Sequence, residues 1–311
     1  MSFTTEVKEE LSRVEPICSH CDAATLAALI RIEGTIFVNG PGRYRLEIST
    51  DVPQVARFII RALHGMYALK TDLTMRRSVL HKTPNWLIDV PTQPGLTEAL
   101  RDLGVLNDEG LQRGIDPTLV QKSCCASAYL RGIFLGSGFI SNPRGDFHFE
   151  ITVESQPIAR DIVDLLVKKG INAKIVERRN TYTVYLKSGA AISSFLAFVG
   201  AHQSALKMEN ERVIKSVRND VNRRVNAEIA NQAKTAEASV EQVQAIRTLL
   251  DHRDIKSLPR GLQEYIQLRV RYPEATLKEL GERANPPLSK SAIYHRVRRI
   301  EQMAREVSQS R

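Results

Sequence analysis

The sequence predicts a two-domain protein. The first domain is α+β and consists of a duplicated α-β-β-α-β-β-α unit; the second is all-α. Three observations carry this. At 311 residues the chain is longer than one hydrophobic core usually serves. Two long stretches of the first 205 residues match each other when the sequence is slid along itself. The excess positive charge is concentrated beyond residue 205.

The repeat has a shared opening and a shared continuation. The stretch 26-LAALIRIEG-34 aligns with 130-LRGIFLGSG-138 at an offset of 104, and Cys21 falls on Cys125 at the same offset. Further on, 46-LEISTDVPQVAR-57 aligns with 149-FEITVESQPIAR-160 at an offset of 103, so a one-residue loop difference separates the two blocks. In the first copy the nonapeptide helix is followed by a strand near Ile36–Val38, a turn at 39-NGPG-42 and an alternating strand at 44-YRLEIS-49. A helix from Pro53 to about Leu63 comes next, then strands near 70–76 and 86–90 and a helix from about Gly95 to Leu103. The second copy repeats this with strands near 139–141 and 147–153, a helix from Pro157 to Lys169, strands near 173–179 and 181–186, and a helix at 190–199. The strands alternate with period two, and the helices place apolar residues at i, i+3 and i+4. A duplicated unit of this kind buries its copies against each other about a pseudo-twofold axis. The nonapeptide helices are the expected seam, because Ala27, Ala28, Gly34, Gly132, Gly136 and Gly138 allow close backbone approach.

Composition excludes several classes. Hydrophobic residues make up 42% and charged residues 25%, as in an ordinary globular protein. The longest apolar stretches, such as 192-ISSFLAFVGA-201, are too short to span a bilayer, so no membrane partner is expected. The start, MSFTTEVKEELS, lacks an apolar core and reads as a helix capped by Thr4 or Thr5, not as a signal peptide. A cytoplasmic protein with reduced cysteines is expected.

The formal charge is +9, and its distribution is uneven. Residues 206–311 hold 21 Lys+Arg against 14 Asp+Glu, whereas the first 205 hold 23 against 21. A polyanion is therefore the expected partner of the C-terminal part, double-stranded DNA first; a merely solvated basic surface is the alternative. The polar stretch 201-AHQSALKMEN-210 is read as joining the domains, which places them at 1–203 and 204–311. From Glu211 to about Asn231 a helix carries Val213, Val217, Val221 and Val225, a stripe read as core-facing. Another face of that helix carries Asn219, Asn222 and Asn226 beside Arg218, Arg223 and Arg224, for phosphate contact, docking or solvent alone. A further helix is expected from Ser239 to Leu250.

The last segment is the most clearly marked. Thr276 and Glu279 form a T-x-x-E capping box before 277-LKELGERA-284. The prolines of 285-NPPL-288 end that helix, and Ser289 caps the next. In that next helix Ile293, Val297 and Ile300, followed by Met303 or Ala304, form one apolar stripe. Ser291, His295, Arg298 and Gln302 lie opposite, with Tyr294 and Arg299 on the flanks. The order is that of a helix-turn-helix, whose second helix reads base edges near its N-terminus. The candidate DNA-binding residues are Ser291, Tyr294 and His295 for bases and Lys290, Arg298 and Arg299 for phosphates.

The tandem repeat with its two nonapeptides resembles the LAGLIDADG homing endonucleases, and the repeat joined to a helix-turn-helix resembles the WhiA family of bacterial regulators. The resemblance covers nearly the whole chain, including MSFTTEVKEEL, 216-SVRNDVNRRVNAEIAN-231 and 289-SKSAIYHRVRRI-300. It implies a LAGLIDADG-like domain followed by a helix-turn-helix domain. In active endonucleases of that type the eighth residue of each nonapeptide is an acid, and the two acids hold divalent metal. Here those positions are Glu33 and Ser137. A hydroxyl does not replace a carboxylate as a ligand for the ions of in-line phosphodiester cleavage. No catalytic residues are therefore expected: the pair is vestigial, with Glu33 a structural acid or, alternatively, a lone weak Mg²⁺ ligand.

If the nonapeptide helices pair in parallel, as the resemblance implies, Cys18, Cys21, Cys124 and Cys125 converge at the end away from the acids. Four thiolates suit zinc or an iron–sulfur cluster. The spacing is not that of an ordinary zinc motif and buried free thiols are common, so no cofactor is expected from the residues. The resemblance implies a sequence-specific transcription regulator, associated with the nucleoid and promoter DNA, acting in sporulation septation or in cell division and chromosome segregation. Its first domain would touch DNA or dock another protein, and the domain's small net charge favours docking. An active endonuclease and an RNA-binding protein are the alternatives; an aromatic content of 6% argues against base stacking on a sheet.

Overall fold

The computed structural model describes residues 2–77 and 84–309. The chain divides into two compact units, Met1–Lys215 and Ser216–Arg311.

The first unit opens with α1 (Phe3–Leu11), which buries Phe3, Val7 and Leu11. Its N-cap is Ser2, whose side chain accepts from the Thr5 N–H, and not Thr4 or Thr5. The acid-rich turn falls where expected; Phe3 enters the core, and the helix starts two residues earlier than a Thr4 cap would place it. The first copy of the repeat follows as α2 (Ser19–Glu33), β1 (Gly34–Val38), β2 (Tyr44–Thr50), α3 (Pro53–Tyr67), β3 (Asp72–Arg77), β4 (Pro84–Val90) and α4 (Leu96–Asp102). A small hairpin, β5 (Leu106–Asn107) with β6 (Gly110–Leu111), and a 3₁₀ turn at Pro117–Val120 lead to the second copy. That copy is α5 (Ser123–Ser137), β7 (Gly138–Ile140), β8 (Phe149–Val153), α6 (Gln156–Val167), β9 (Lys174–Arg178), β10 (Thr181–Leu186) and α7 (Gly189–Val199). The hairpin and the 3₁₀ turn have no counterpart in the sequence reading.

The duplication is visible in the sheets. Both are four-stranded and antiparallel, ordered β1-β2-β4-β3 and β7-β8-β10-β9. Alternation along each strand sends one set of side chains into the core: Leu46, Ile48, Ile88 and Val90 in one sheet, Phe149, Ile151, Val184 and Leu186 in the other. Phe134 of α5 packs against Phe149 and Phe195, and the Phe149 and Phe195 rings lie 4.5 Å apart, tilted by 59°.

The copies meet along α2 and α5, which run in parallel. Thr25 Oγ1 donates to the carbonyls of Cys21 (3.0 Å) and, across the seam, Ala128 (3.1 Å). A Cβ built on Gly132 would lie 2.8 Å from the Ala28 Cβ, and one on Gly136 would lie 2.8 Å from an Ile32 methyl. The expectation of small residues at the seam therefore holds for Ala28, Gly132 and Gly136. Gly34 and Gly138 serve another purpose. They follow the helix ends, where a side chain would strike the Ile30 carbonyl and the Phe134 ring of their own copy.

α8 (His202–Leu250) is a single helix of 49 residues, and the boundary between the units falls within it. The stretch 201–210 forms its first turns, with Ala205 and Met208 buried in the first unit's core. The two helices expected at 211–231 and 239–250 are thus one. Its valine stripe is not core-facing: Val213, Val217, Val221 and Val225 are 57%, 57%, 51% and 45% exposed. The period is helical as read, but no element of the described residues covers that side.

The second unit adds α9 (Arg260–Arg271), α10 (Leu277–Glu282) and α11 (Lys290–Gln309) to the end of α8. Ile246, Leu249, Leu262, Tyr265, Ile266, Leu280, Ile293, Val297 and Ile300 form its core. α9 has no counterpart in the sequence reading. Its buried residues, Leu262, Tyr265, Ile266 and Arg269, keep helical spacing, but the Arg hides the pattern from an apolar count. Arg269 is 2% exposed and donates from Nη1 to the Ala275 carbonyl (2.6 Å), while the Tyr265 hydroxyl donates to Gln242 (2.8 Å).

Candidate nucleic-acid interface

The helix-turn-helix is built by local chemistry. Thr276 Oγ1 accepts from the Glu279 N–H (3.3 Å) and the Glu279 carboxylate accepts from the Thr276 N–H (2.7 Å), so the expected capping box is complete. Ser289 Oγ accepts from the Ala292 N–H (3.2 Å) and starts α11 as expected. The turn also depends on a residue that no sequence motif marks. Gly281 accepts from the Leu288 N–H at 2.9 Å, and a Cβ there would sit 2.3 Å from the Leu288 carbonyl oxygen. Glu264 of α9 holds the same region from beneath. It accepts from the Asn285 N–H (2.7 Å) and from Arg296 Nη1 (2.8 Å), and these two bonds set its carboxyl below the usual range.

α11 then presents two different sides. Ile293, Val297, Ile300, Met303 and Ala304 are buried, none more than 7% exposed. Lys290, Ser291, His295, Arg298 and Arg299 are exposed. Tyr294 is 49% exposed and lies on the flank, lining a cleft with Gln242 and Ala245 of α8. The structure therefore groups the candidate DNA-binding residues on the solvent side of one helix, with Tyr294 at its margin. Arg305, not among the candidates, extends the basic surface with His295, Arg298 and Arg299. Arg298 pairs loosely with Glu301 (3.7 Å), and Arg299 donates to Gln302 (3.2 Å). Exposed contacts of this kind are worth little in water, so either guanidinium can exchange its partner for a phosphate. Arg296 is different: its pairing with Glu264 assigns it to the fold.

Glu33 and Ser137 lie at the other end of the seam helices from the cysteines. Glu33 stands next to Gly136, where an added Cβ would lie 3.3 Å from its carboxylate. Burial raises the Glu33 pKa, the Lys8 ammonium opposes this, and Asp51 adds to it. Lys8 Nζ donates to the Gly136 carbonyl (3.1 Å), and burial lowers its own pKa. Ser137 Oγ is buried without a hydrogen-bond partner among the described residues. The pair is thus one carboxylate beside an ammonium and an orphaned hydroxyl, a poor set for a hard divalent cation.

The cysteines converge as the parallel pairing implies. Cys18, Cys21, Cys124 and Cys125 place their sulfurs within 4.8 Å of one another at the N-terminal ends of α2 and α5.

Comparison with known proteins agrees with this architecture. Family models for the WhiA N-terminal LAGLIDADG-like domain, the WhiA LAGLIDADG-like domain and the WhiA C-terminal HTH domain match residues 19–106, 126–218 and 221–304. A probable cell division protein WhiA from Desulforamulus reducens is 40% identical over 310 residues, covering 99% of this chain and 96% of that protein. Its counterpart from Alkaliphilus metalliredigens is 40% identical over 309 residues, covering 98% of each. The crystal structure of full-length DUF199/WhiA from Thermatoga maritima is similar with a TM-score of 0.60 at 26% identity, covering 98% of this chain and 99% of that one. The chain, with its duplicated LAGLIDADG-like domain and its helix-turn-helix, belongs to the WhiA family.

Proposed function

We propose that the protein is a sequence-specific DNA-binding transcription regulator without catalytic activity, acting in cell division and chromosome segregation, or in sporulation septation where spores form. The observation that carries this is the two-sided α11: an apolar stripe held in the core, and Lys290, Ser291, His295, Arg298 and Arg299 exposed on the opposite side. Such a helix fits the major groove, where Ser291 and His295, with Tyr294 at the edge, meet base edges while the cations meet phosphates. The relatives' designation as cell division proteins supports the process.

The first unit supports a non-catalytic reading. Cleavage by paired metal ions needs carboxylates from both copies, and the second copy supplies Ser137. Its first sheet also suits DNA poorly. The outward face of the first sheet carries Glu47, Asp72 and Asp89 against Arg45 and Arg76, with Arg45 already bound to Asp89 (2.8 Å). Docking of another protein fits this mixed surface better than a phosphate backbone does.

Genome-wide crosslinking of the full chain tests the proposal, with sharp peaks at a short recurring motif upstream of genes as the expected result. Enrichment spread evenly along the chromosome, or found only on transcripts, would reject it. Supercoiled plasmid incubated with the protein and Mg²⁺ should remain supercoiled; nicking that disappears in Glu33→Ala would establish an endonuclease instead.

A further inference from the structure

The four cysteines come from two segments about a hundred residues apart, so no single stretch of sequence carries their pattern. The fold brings them to one point. Cys18 Sγ lies 3.5 Å from Cys21 Sγ, 3.7 Å from Cys124 Sγ and 3.6 Å from Cys125 Sγ. A zinc–thiolate bond is about 2.3 Å, so four sulfurs at the corners of a tetrahedron around one ion stand about 3.8 Å apart. These three separations are close to that value, and every other pair of the four sulfurs lies within 4.8 Å. A cubane iron–sulfur cluster binds each thiolate to a different iron and needs a wider ring of sulfurs. A disulfide would join two sulfurs and give no reason for one of them to be equally close to three others.

The surroundings suit a dianionic centre. Cys18 is the N-cap of α2 and Cys21 lies in its first turn, while Cys124 and Cys125 lie in the first turn of α5. Two helix N-termini thus aim their partial positive charge at the sulfurs. Cys21 and Cys125 are 2% and 3% exposed, whereas Cys18 and Cys124 are half-buried, which leaves a path for an ion to enter.

We propose that Cys18, Cys21, Cys124 and Cys125 form a closed, structural site for a single zinc ion. All four positions are protein ligands, so none is left open for substrate. Each thiol that enters as a thiolate passes its proton to solvent, and nothing is oxidised or reduced. The ion ties the two copies of the repeat together at the N-terminal end of the seam, opposite Glu33 and Ser137. It closes a long loop of the unfolded chain, as a disulfide would, but remains stable under reducing conditions.

The test uses the full chain, untagged and purified without chelator from zinc-supplemented cells. Elemental analysis should find about one zinc per chain. Titration with an organomercurial, read with a metallochromic dye, should release that zinc as the thiols are consumed. Metal-free protein titrated anaerobically with Co²⁺ should develop the visible absorption of a tetrahedral cobalt thiolate. Cys124→Ser should cut the zinc content several-fold while the far-ultraviolet circular dichroism is kept. If that variant does not fold, the release experiment on the unaltered protein decides alone. Less than about a tenth of an equivalent of zinc together with four freely reactive thiols, or a disulfide, would overturn the site. One iron per chain would overturn the choice of metal, and several irons with sulfide would overturn the mononuclear geometry.

Discussion

Gly132 of α5 faces Thr25 of α2 so closely that a Cβ added at Gly132 would lie 2.6 Å from the Thr25 carbonyl oxygen and 2.8 Å from the Ala28 Cβ. The obstacle is largely backbone, which cannot swing aside as a side-chain tip can. Gly132→Ala should therefore destabilise the first unit by about 2–3 kcal/mol, despite the better helix propensity of alanine. Gly65, in the last turn of α3, has open space where a Cβ would go, with nothing within 4 Å. Gly65→Ala should be neutral or stabilising by up to about 1 kcal/mol. Urea unfolding followed by the fluorescence of Trp86, the single tryptophan, measures both; equal effects would refute the close seam.

Gly281 sets the turn of the helix-turn-helix by the same logic. Its Cβ would meet the Leu288 carbonyl at 2.3 Å, so Gly281→Ala should move α10 away from α11. We expect a loss of about 2 kcal/mol in the second unit and weaker DNA binding, although no DNA-facing side chain is altered. Hydrogen exchange of the α10 and α11 amides should show it, and unchanged protection would contradict the role assigned to the glycine.

Glu264 makes the second unit sensitive to acid. Its folded-state pKa is lowered by the Asn285 N–H and by Arg296. A carboxyl lowered on folding contributes stability above its unfolded value, and that contribution is lost as the pH falls through the folded value. Stability of the second unit should decline as the pH drops below about 4.5, the ordinary value for the group. Glu264→Gln should cost about 1 kcal/mol at neutral pH, after allowance for its partial exposure, and should flatten that decline. A variant with the same acid profile as the unaltered protein would place the acid sensitivity elsewhere.

Arg298 and Arg299 are expected to act on DNA through charge alone. Replacing either by alanine should weaken binding across sequences and reduce the log–log salt slope by about one. Arg296→Ala should instead destabilise the unit, because it leaves Glu264 without its partner. Binding isotherms from low to moderate salt separate the two kinds of arginine.

Features encoded by neighbours in the chain are legible in the sequence. The capping box at Thr276 and Glu279, the Ser289 cap and the apolar stripe of α11 each lie within a few turns, and the repeat declares itself by duplication. Features fixed by distant partners are not. The valines of α8 have core-like spacing, and nothing in a single sequence says whether another element comes to cover them. Arg296 looks like its neighbours Arg298 and Arg299 until Glu264, on another helix, is seen to hold it. α9 is hidden because a buried arginine sits where an apolar residue would have marked the face. The convergence of the cysteines follows from the resemblance, through parallel pairing of the seam helices; the sulfur separations, which decide between one ion and a cluster, require the structure.

Recognition through the exposed side of α11 is tested most directly by changing that side and leaving the core intact. The full chain carrying His295→Ala, Arg298→Ala and Arg299→Ala should unfold at the same temperature as the unaltered protein and bind its operator at least a hundredfold more weakly, about 3 kcal/mol. Equal affinity of the two proteins for the operator would contradict recognition by this helix and move it elsewhere on the chain.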